Sequence, residues 1–402
     1  MAPFIWPART QAELTASVAR DVDLYDQDTK NFLGYPRNLL VDPYVEEQLA
    51  KLSKCHIHNV GDYEAGSQYP LQAFDKETIV LEFFKHLWGC KGKEYKFWGY
   101  VTANGTEGNL WGAYVGMRVL SAKHKRPPVI ICNKEAHYSF DKAAAMYRLE
   151  LELVDTNSDG SIDIAKLEHA LKKHAGVPII LGLMNGTTVK EGRDDIPAAL
   201  QAIADTGRPR DNFYVHVDAA FSGVYLPLVD ASPAITPGFQ HDIDGISASG
   251  HKFIGMPTTC GVILMKREHS DIATKAVEYI ASKDKTMGGS RDAHAIYELW
   301  LLIERYGADK LRQWAIACIA EAQTMARKLR EAGLENVLLN PHALTVYFPK
   351  PSEKLIHKYH LACQGDFAHT ITCPHTLDKS LGGYATAARF TVEYIAELRA
   401  AQ

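Results

Sequence analysis

Residues 97–120, FWGYVTANGTEGNLWGAYVGMRVL, change character half-way. A short aromatic run gives way to a turn of small residues, Thr102-Ala-Asn104-Gly105-Thr106-Glu107-Gly108-Asn109, and then to apolar residues at helical spacing. Working outward, the same alternation recurs. Upstream, DKETIVLEFFKHLWG (75–89) places Ile79, Phe83, Phe84 and Leu87 at helical spacing, with Gly89 positioned to stop the helix. Downstream, PVIICN, LELVDT, PIILGLM, YVHVDAA, GISASG and GVILMK are short apolar runs divided by helical segments. Buried strands that alternate with helices predict a mainly parallel sheet covered on both faces.

The pattern changes after about residue 290. AHAIYELWLLIERYGADKLRQWAIACIAEAQTMARKLREAG reads as long helices, LTVYFPKP as a strand ended by prolines, and TAARFTVEYIAELRAA as a last helix. The first sixty residues are mixed, with Pro36 and Pro43 breaking any long helix. The division expected is an N-terminal arm (1–60), a large domain (61–300) and a smaller one (301–402), in keeping with ~100–200 residues per domain.

Composition narrows the function classes. Lys plus Arg is 44 and Asp plus Glu 48, a net charge of −4, so the basic surplus that a nucleic-acid partner requires is missing. No apolar run approaches the ~18 residues of a membrane span, and the start, MAPFIWPARTQAELTASVARDV, lacks the form of a secretory leader. The seven cysteines form no C-x-x-C pair, so reduced thiols in a cytoplasmic protein are expected. Asp155-Thr-Asn-Ser-Asp159-Gly160 opens like a calcium loop, but Lys166 stands where a bidentate Glu is needed, so a turn is expected. His56 and His58 lack an acidic or Cys neighbour, and no metal site is expected.

Three segments carry chemistry together. Lys252 follows the strand-like run GISAS within Ser249-Gly250-His251-Lys252, at the strand end where active groups collect in open α/β sheets, and its amine suits Schiff-base chemistry. Asp218 ends the strand of YVHVDAA, where a carboxylate either caps the next helix or holds a pyridinium nitrogen protonated. The turn at Asn104–Asn109 offers backbone N–H groups and a helix dipole to an anion such as phosphate.

These segments, with EAHYSFDKAAAMYR, NGTTVKEGRDDI, SASGHKFIGMPTTCGV, GGSRDAH and HLACQGDFAH, resemble the group II pyridoxal-phosphate-dependent amino-acid decarboxylases, nearest to bacterial histidine and plant serine decarboxylases. The match runs in order through roughly residues 35–380. The resemblance implies the aspartate-aminotransferase-like fold: a large α/β domain with a seven-stranded, mostly parallel sheet and a smaller C-terminal α/β domain. It implies pyridoxal 5'-phosphate bound to Lys252, with Asp218 on the pyridine nitrogen, His137 stacked on one ring face and Ala220 against the other. Asn104, Gly105, Thr106, Glu107, Ser249 and His251 are implied at the phosphate, and Asn185 and Thr187 at the cofactor edge. Ser290 is implied at the phosphate of a neighbouring subunit, hence a homodimer with shared sites.

The implied reaction is loss of carbon dioxide from an L-amino acid, histidine ahead of serine and an aromatic substrate third. Tyr279, His137 and Lys252 are the candidate proton donors. Two departures bear on this. Asn104 replaces a second Gly of the family's turn, and Gly61-Asp62-Tyr63 replaces a Gly-Asp-Pro, so Tyr63 and Tyr69 are either substrate contacts or structural aromatics. The competing readings are transamination, carbon–carbon lysis and a non-catalytic relative; Arg291 or Arg389 aimed at a substrate carboxylate would favour an aminotransferase.

Overall fold

The computed structural model describes residues 8–229, 231–377, 379 and 383–400. The N-terminal segment holds α1 (Gln11–Thr29), closed by a Thr10/Glu13 capping box, then α2 (Pro43–Leu52), β1 (His58–Val60) and α3 (Phe74–Leu87). Pro43 begins α2, the one helical turn where its missing N–H is harmless. Gly89 follows α3 with φ +75°, a conformation that suits glycine.

The centre alternates strand and helix as expected: β2 (Phe97–Thr102), α4 (Gly105–His124), β3 (Val129–Asn133), α5 (Ser139–Tyr147), β4 (Glu150–Val154), α6 (Ile164–Lys173), β5 (Ile179–Met184), α7 (Ile196–Asp205), β6 (Phe213–Asp218), the short α8 (Ser222–Tyr225), β7 (Gly245–Ser249) and β8 (Gly261–Lys266). These strands form one seven-stranded sheet in the order β2-β8-β7-β6-β5-β3-β4. Only β8 runs against its neighbours, so the sheet is mostly parallel and the C-terminal ends of β2, β3, β5, β6 and β7 open on the same edge. Asp155–Ile162 is a turn between β4 and α6, pinned by the Thr156–Ile162 bridge.

The inner strands are almost wholly buried and mainly apolar because both faces are covered. Ile179, Leu181 and Leu183 of β5 join one apolar cluster and Ile180 and Met184 the other, the two-residue period of a strand. Helix α4 lies close on the second face. A Cβ on Gly108, Gly112 or Gly116 would come within 2.7 Å of Ser247, 2.3 Å of His216 and 2.8 Å of Tyr214, so hydrogen at those positions lets the helix backbone approach β6 and β7.

Beyond β8, the chain makes α9 (Arg267–Ser270), the hairpin β9 (Lys275–Val277) and β10 (Ser282–Asp284), and β11 (Ser290–Asp292), which pairs antiparallel with β1. Helix α10 (Ala293–Glu331) is interrupted at Gly307 (φ 60°, ψ 175°). Its Leu299, Leu311 and Cys318 pack with the large sheet's core, whereas Ala322, Met325 and Leu329 belong to a third apolar cluster. That cluster underlies β12 (Thr345–Pro349), α11 (Glu353–Tyr359), β13 (Ala362–Gln364), β14 (Phe367–Ile371) and α12 (Thr386–Ala400). The three strands form an antiparallel sheet in the order β12-β14-β13. Among the described residues, no helix is long and apolar enough to cross a membrane.

Candidate active site

At the open edge of the sheet lies a cavity of about 250 Å³. Strand ends and the turns after them supply its floor: Asn104, Gly105 and Thr106 after β2, His137 after β3, Thr187 after β5, Asp218 and Ala220 at β6, and Ser249, His251 and Lys252 at β7. Thr345 and Ile371, from the smaller sheet, line it too.

Asn104 takes an extended conformation (φ −172°, ψ 175°) and its Oδ1 accepts from the Glu107 amide at 2.9 Å. The Asn in place of glycine therefore acts as the N-cap of α4, and the turn needs no glycine there. Capping leaves the Gly105 and Thr106 amides as the first-turn donors without a partner among the described residues, where the helix dipole favours an anion. A Cβ on Gly105 would lie 2.5 Å from Ser249 Oγ and 3.6 Å from Ala220 Cβ, so that position is a cradle which a side chain would fill. Unpaired amides, a cleared wall and the adjacent Ser249 hydroxyl fit a phosphate group.

Asp218 and Lys252 share the cavity. The Asp218 carboxylate accepts from Asn109 Nδ2 (2.6 Å) on one oxygen and from the Ala220 amide (3.0 Å) on the other. Burial lowers the pKa of Lys252, with Asp218 pulling it back up. Its amine has no hydrogen bond or ion pair among the described residues, a state suited to a nucleophile. Burial likewise lowers the pKa of His137, against the pull of Asp218, and its Nδ1 sits 2.9 Å from Ser139 Oγ.

Residues 77–350 match the Pyridoxal-dependent decarboxylase conserved domain. The chain belongs to the pyridoxal-dependent decarboxylase family. Histidine decarboxylase of Solanum lycopersicum is 35% identical over 363 residues, covering 90% of this chain and 85% of that protein. Serine decarboxylase 1 of Oryza sativa subsp. japonica is 36% identical over 373 residues, 91% of this chain and 74% of its own length. The crystal structure of L-methionine decarboxylase from Streptomyces sp. 590 superposes with a TM-score of 0.82 at 22% identity, covering 97% of this chain and 96% of that one, which shows the shared fold. This decarboxylase is thus a pyridoxal-phosphate enzyme of fold type I acting on an amino acid.

Other residues singled out in the sequence lie elsewhere in the decarboxylase. Glu107 turns back to accept from Tyr100 OH (2.8 Å) and the Ala103 amide (2.9 Å). Asn185 is buried beside the cavity, its Nδ2 on the Ile235 carbonyl (2.6 Å). Tyr63 packs against both central apolar clusters and donates to Glu64 (3.2 Å); neither it nor Tyr69 lines the cavity. Ser290 is exposed on β11, and Tyr279 is 84% exposed. Arg291 is buried against Glu77 and the Gly61 carbonyl, and Arg389 bonds the Lys30 and Tyr384 carbonyls, so neither reaches the cavity.

Sequence reading assigned no role to Asn109 or Glu191, although both sit in quoted motifs. Asn109 stands one helical turn after Gly105 on the same face, a spacing that could have flagged it. Thr345 and Ile371 carried no signal, because tertiary folding alone brings them in.

Proposed function

We propose that this decarboxylase acts on a small polar L-amino acid, histidine ahead of serine, as a cytoplasmic homodimer in which Ser290 serves the neighbour's cofactor phosphate. The observation that carries the substrate reading is the cavity wall, where Thr187, Thr188 and Thr345 set hydroxyl groups beside apolar Phe221 and Ile371. The names of the relatives, histidine and serine decarboxylases, support the same class. Ser290 is exposed and outside the lining of its own chain's cavity, which supports a role at a neighbour's. All seven cysteines are unpaired, in keeping with a reducing compartment.

In this reading Lys252 would hold the cofactor covalently, Gly105, Thr106, Ser249 and His251 would hold its phosphate, Asp218 would pair with the pyridine nitrogen, and His137 and Ala220 would lie against the ring. When bound, the protonated ring supplies a sink for the electron pair released as the Cα–carboxylate bond breaks. The chain's own residues set which bond breaks. Among the described residues no arginine lines the cavity, so none ties the substrate carboxylate down as aminotransferases commonly do. His137 and Lys252 are the proton donors this chain offers at its own cavity; Tyr279 is not part of its lining.

The test is carbon dioxide release by the holoenzyme across the twenty amino acids. Histidine is expected to be fastest and serine second; an aromatic amino acid in first place overturns the reading. Lys252→Ala should abolish the visible absorbance of bound cofactor as a lysine adduct, and its retention would remove Lys252 from that role. Sedimentation equilibrium should give the mass of two chains.

A further inference from the structure

Asn109 is buried within α4 and uses its whole hydrogen-bonding capacity inside the protein. Its Nδ2 contacts Asp218 Oδ2 at 2.6 Å and Ser139 Oγ at 2.9 Å. Its Oδ1 contacts Ser247 Oγ at 2.8 Å and His216 Nε2 at 3.1 Å. Ser139, His216 and Ser247 are all fully buried, so water does not substitute for any of these partners.

We propose that Asn109 is a positioning residue that holds Asp218 in orientation and fixes the tautomer of His137, an inference that rests on the cofactor site described above. The direction of every bond follows from one constraint. A flipped amide would place Oδ1 2.6 Å from a carboxylate oxygen, acceptor against acceptor, so Nδ2 faces Asp218. The second Nδ2 hydrogen then goes to Ser139 Oγ, which frees the serine hydroxyl to donate to His137 Nδ1 at 2.9 Å. The Ser139 amide also donates to that nitrogen, at 3.2 Å. With two donors on Nδ1, the imidazole proton sits on Nε2, at the other edge of the ring.

On the opposite side, Oδ1 takes hydrogens from the Ser247 hydroxyl and from His216 Nε2. The His216 Nδ1 has no partner among the described residues and faces the backbone of Gly112, which agrees with a neutral ring protonated on Nε2. Hydrogen-bond polarity thus runs one way, from His216 and Ser247 through Asn109 to Asp218, and by Ser139 to His137. Asp218, at the end of β6, and His137, after β3, are both set by one amide. Asp218 keeps lone pairs for the cavity, and His137 offers an N–H rather than a lone pair on its free edge.

The experiment uses the full-length chain with pyridoxal phosphate bound and histidine labelled with 15N, the His137 signals being assigned by loss in His137→Gln. In the wild type, the His137 signals should be those of the Nε2–H tautomer. In Asn109→Leu they should shift toward a tautomer mixture, and the cofactor dissociation constant should rise at least about tenfold, as for a lost hydrogen bond to a charged group. The turnover number should fall while KM for the amino acid changes less than about threefold. Unchanged His137 signals and unchanged cofactor affinity in Asn109→Leu overturn the inference while leaving the site intact. A wild-type chain that binds no cofactor overturns both. If Asn109→Leu fails to fold, Ser139→Ala decides: shifted His137 signals with cofactor affinity retained support the chain of bonds, and unshifted signals refute it.

Discussion

Asp218 and Glu191 are both buried carboxylates on the same cavity, and they differ in how much of their bonding is spent. Glu191 receives six donors: Arg193 (2.7 Å), Ser222 (3.2 Å) and the Tyr225 hydroxyl on one oxygen, and the Leu344 amide (3.0 Å), the Thr345 amide (2.9 Å) and the Thr345 hydroxyl (2.7 Å) on the other. Asp218 receives two among the described residues. A carboxylate has about four lone-pair sites, so Glu191 is saturated and Asp218 is half-filled. Saturation marks a joint: Glu191 fastens the turn after β5 to β12. Spare capacity in a cavity marks a place for a ligand.

That contrast can be broken most sharply at Asp218. Asp218→Asn should lower turnover on the order of 10³-fold, because in the proposed function it would remove the charge that keeps the ring electron-poor, with little change in thermal stability. Paired measurement of kcat and melting temperature checks it; a large loss of stability with modest kinetic loss would reverse the assignment. Glu191→Gln should do the opposite, leaving Arg193 buried without its counter-charge. Breaking such a pair is worth about 3–5 kcal/mol, read as a lower denaturant midpoint, with turnover per bound cofactor changed far less.

A smaller effect tests the frame behind Asp218. Gly112→Ala puts a methyl 2.3 Å from His216 Nδ1, and overpacking of that kind should destabilise by about 1–3 kcal/mol in denaturant titrations.

The smallest effect per step is pH. His369 donates to the Gly34 carbonyl (3.1 Å) and His375 to the Phe32 carbonyl (2.9 Å), and burial pushes both pKa values down to about 4. Their folded values lie below the ordinary 6.5, so their contribution to stability is full above pH 6.5 and is lost as pH falls toward 4. Each histidine should add up to about 1.4 kcal/mol per pH unit to the slope of unfolding free energy in that window. His375→Gln should flatten the slope. If it stays as steep, those histidines do not behave as closed joints.

What the sequence disclosed follows the range of the interaction that positions each residue. The inner strands were legible because burial on both faces forces mainly apolar runs, as in PIILGLM, and the half-exposed edge strand β4 through its alternation, ELELV. Lys252, Asp218 and the Gly105 turn were legible because each sits at a strand end, within a few residues of the signal that marks it. The orientation of β8 was not, since GVILMK reads alike in either direction. Asn109 was missed because a polar residue inside a helix looks like a surface residue until its partners, 30 to 138 positions away, are known. Glu191 and Thr345 are bound to each other across more than 150 residues, a pairing that no local pattern announces.

The stitching of residues 32–34 to the small sheet bears on how the chain is made. Leu33 donates to the Tyr359 carbonyl (3.2 Å) and accepts from the Ile371 amide (2.8 Å), so a segment near the start of the chain is fixed by one near its end. On a ribosome, Leu33 emerges long before its partners exist, and the contact spans more than 300 residues of sequence. Contacts of such separation form late and slowly. The β2–β8 sheet can assemble while the smaller sheet is still being translated, but the Phe32–Gly34 segment has to wait until α11 and β14 have been made. A nascent chain stalled after β8 should carry that segment unprotected, open to proteases that cannot cut it in the finished enzyme.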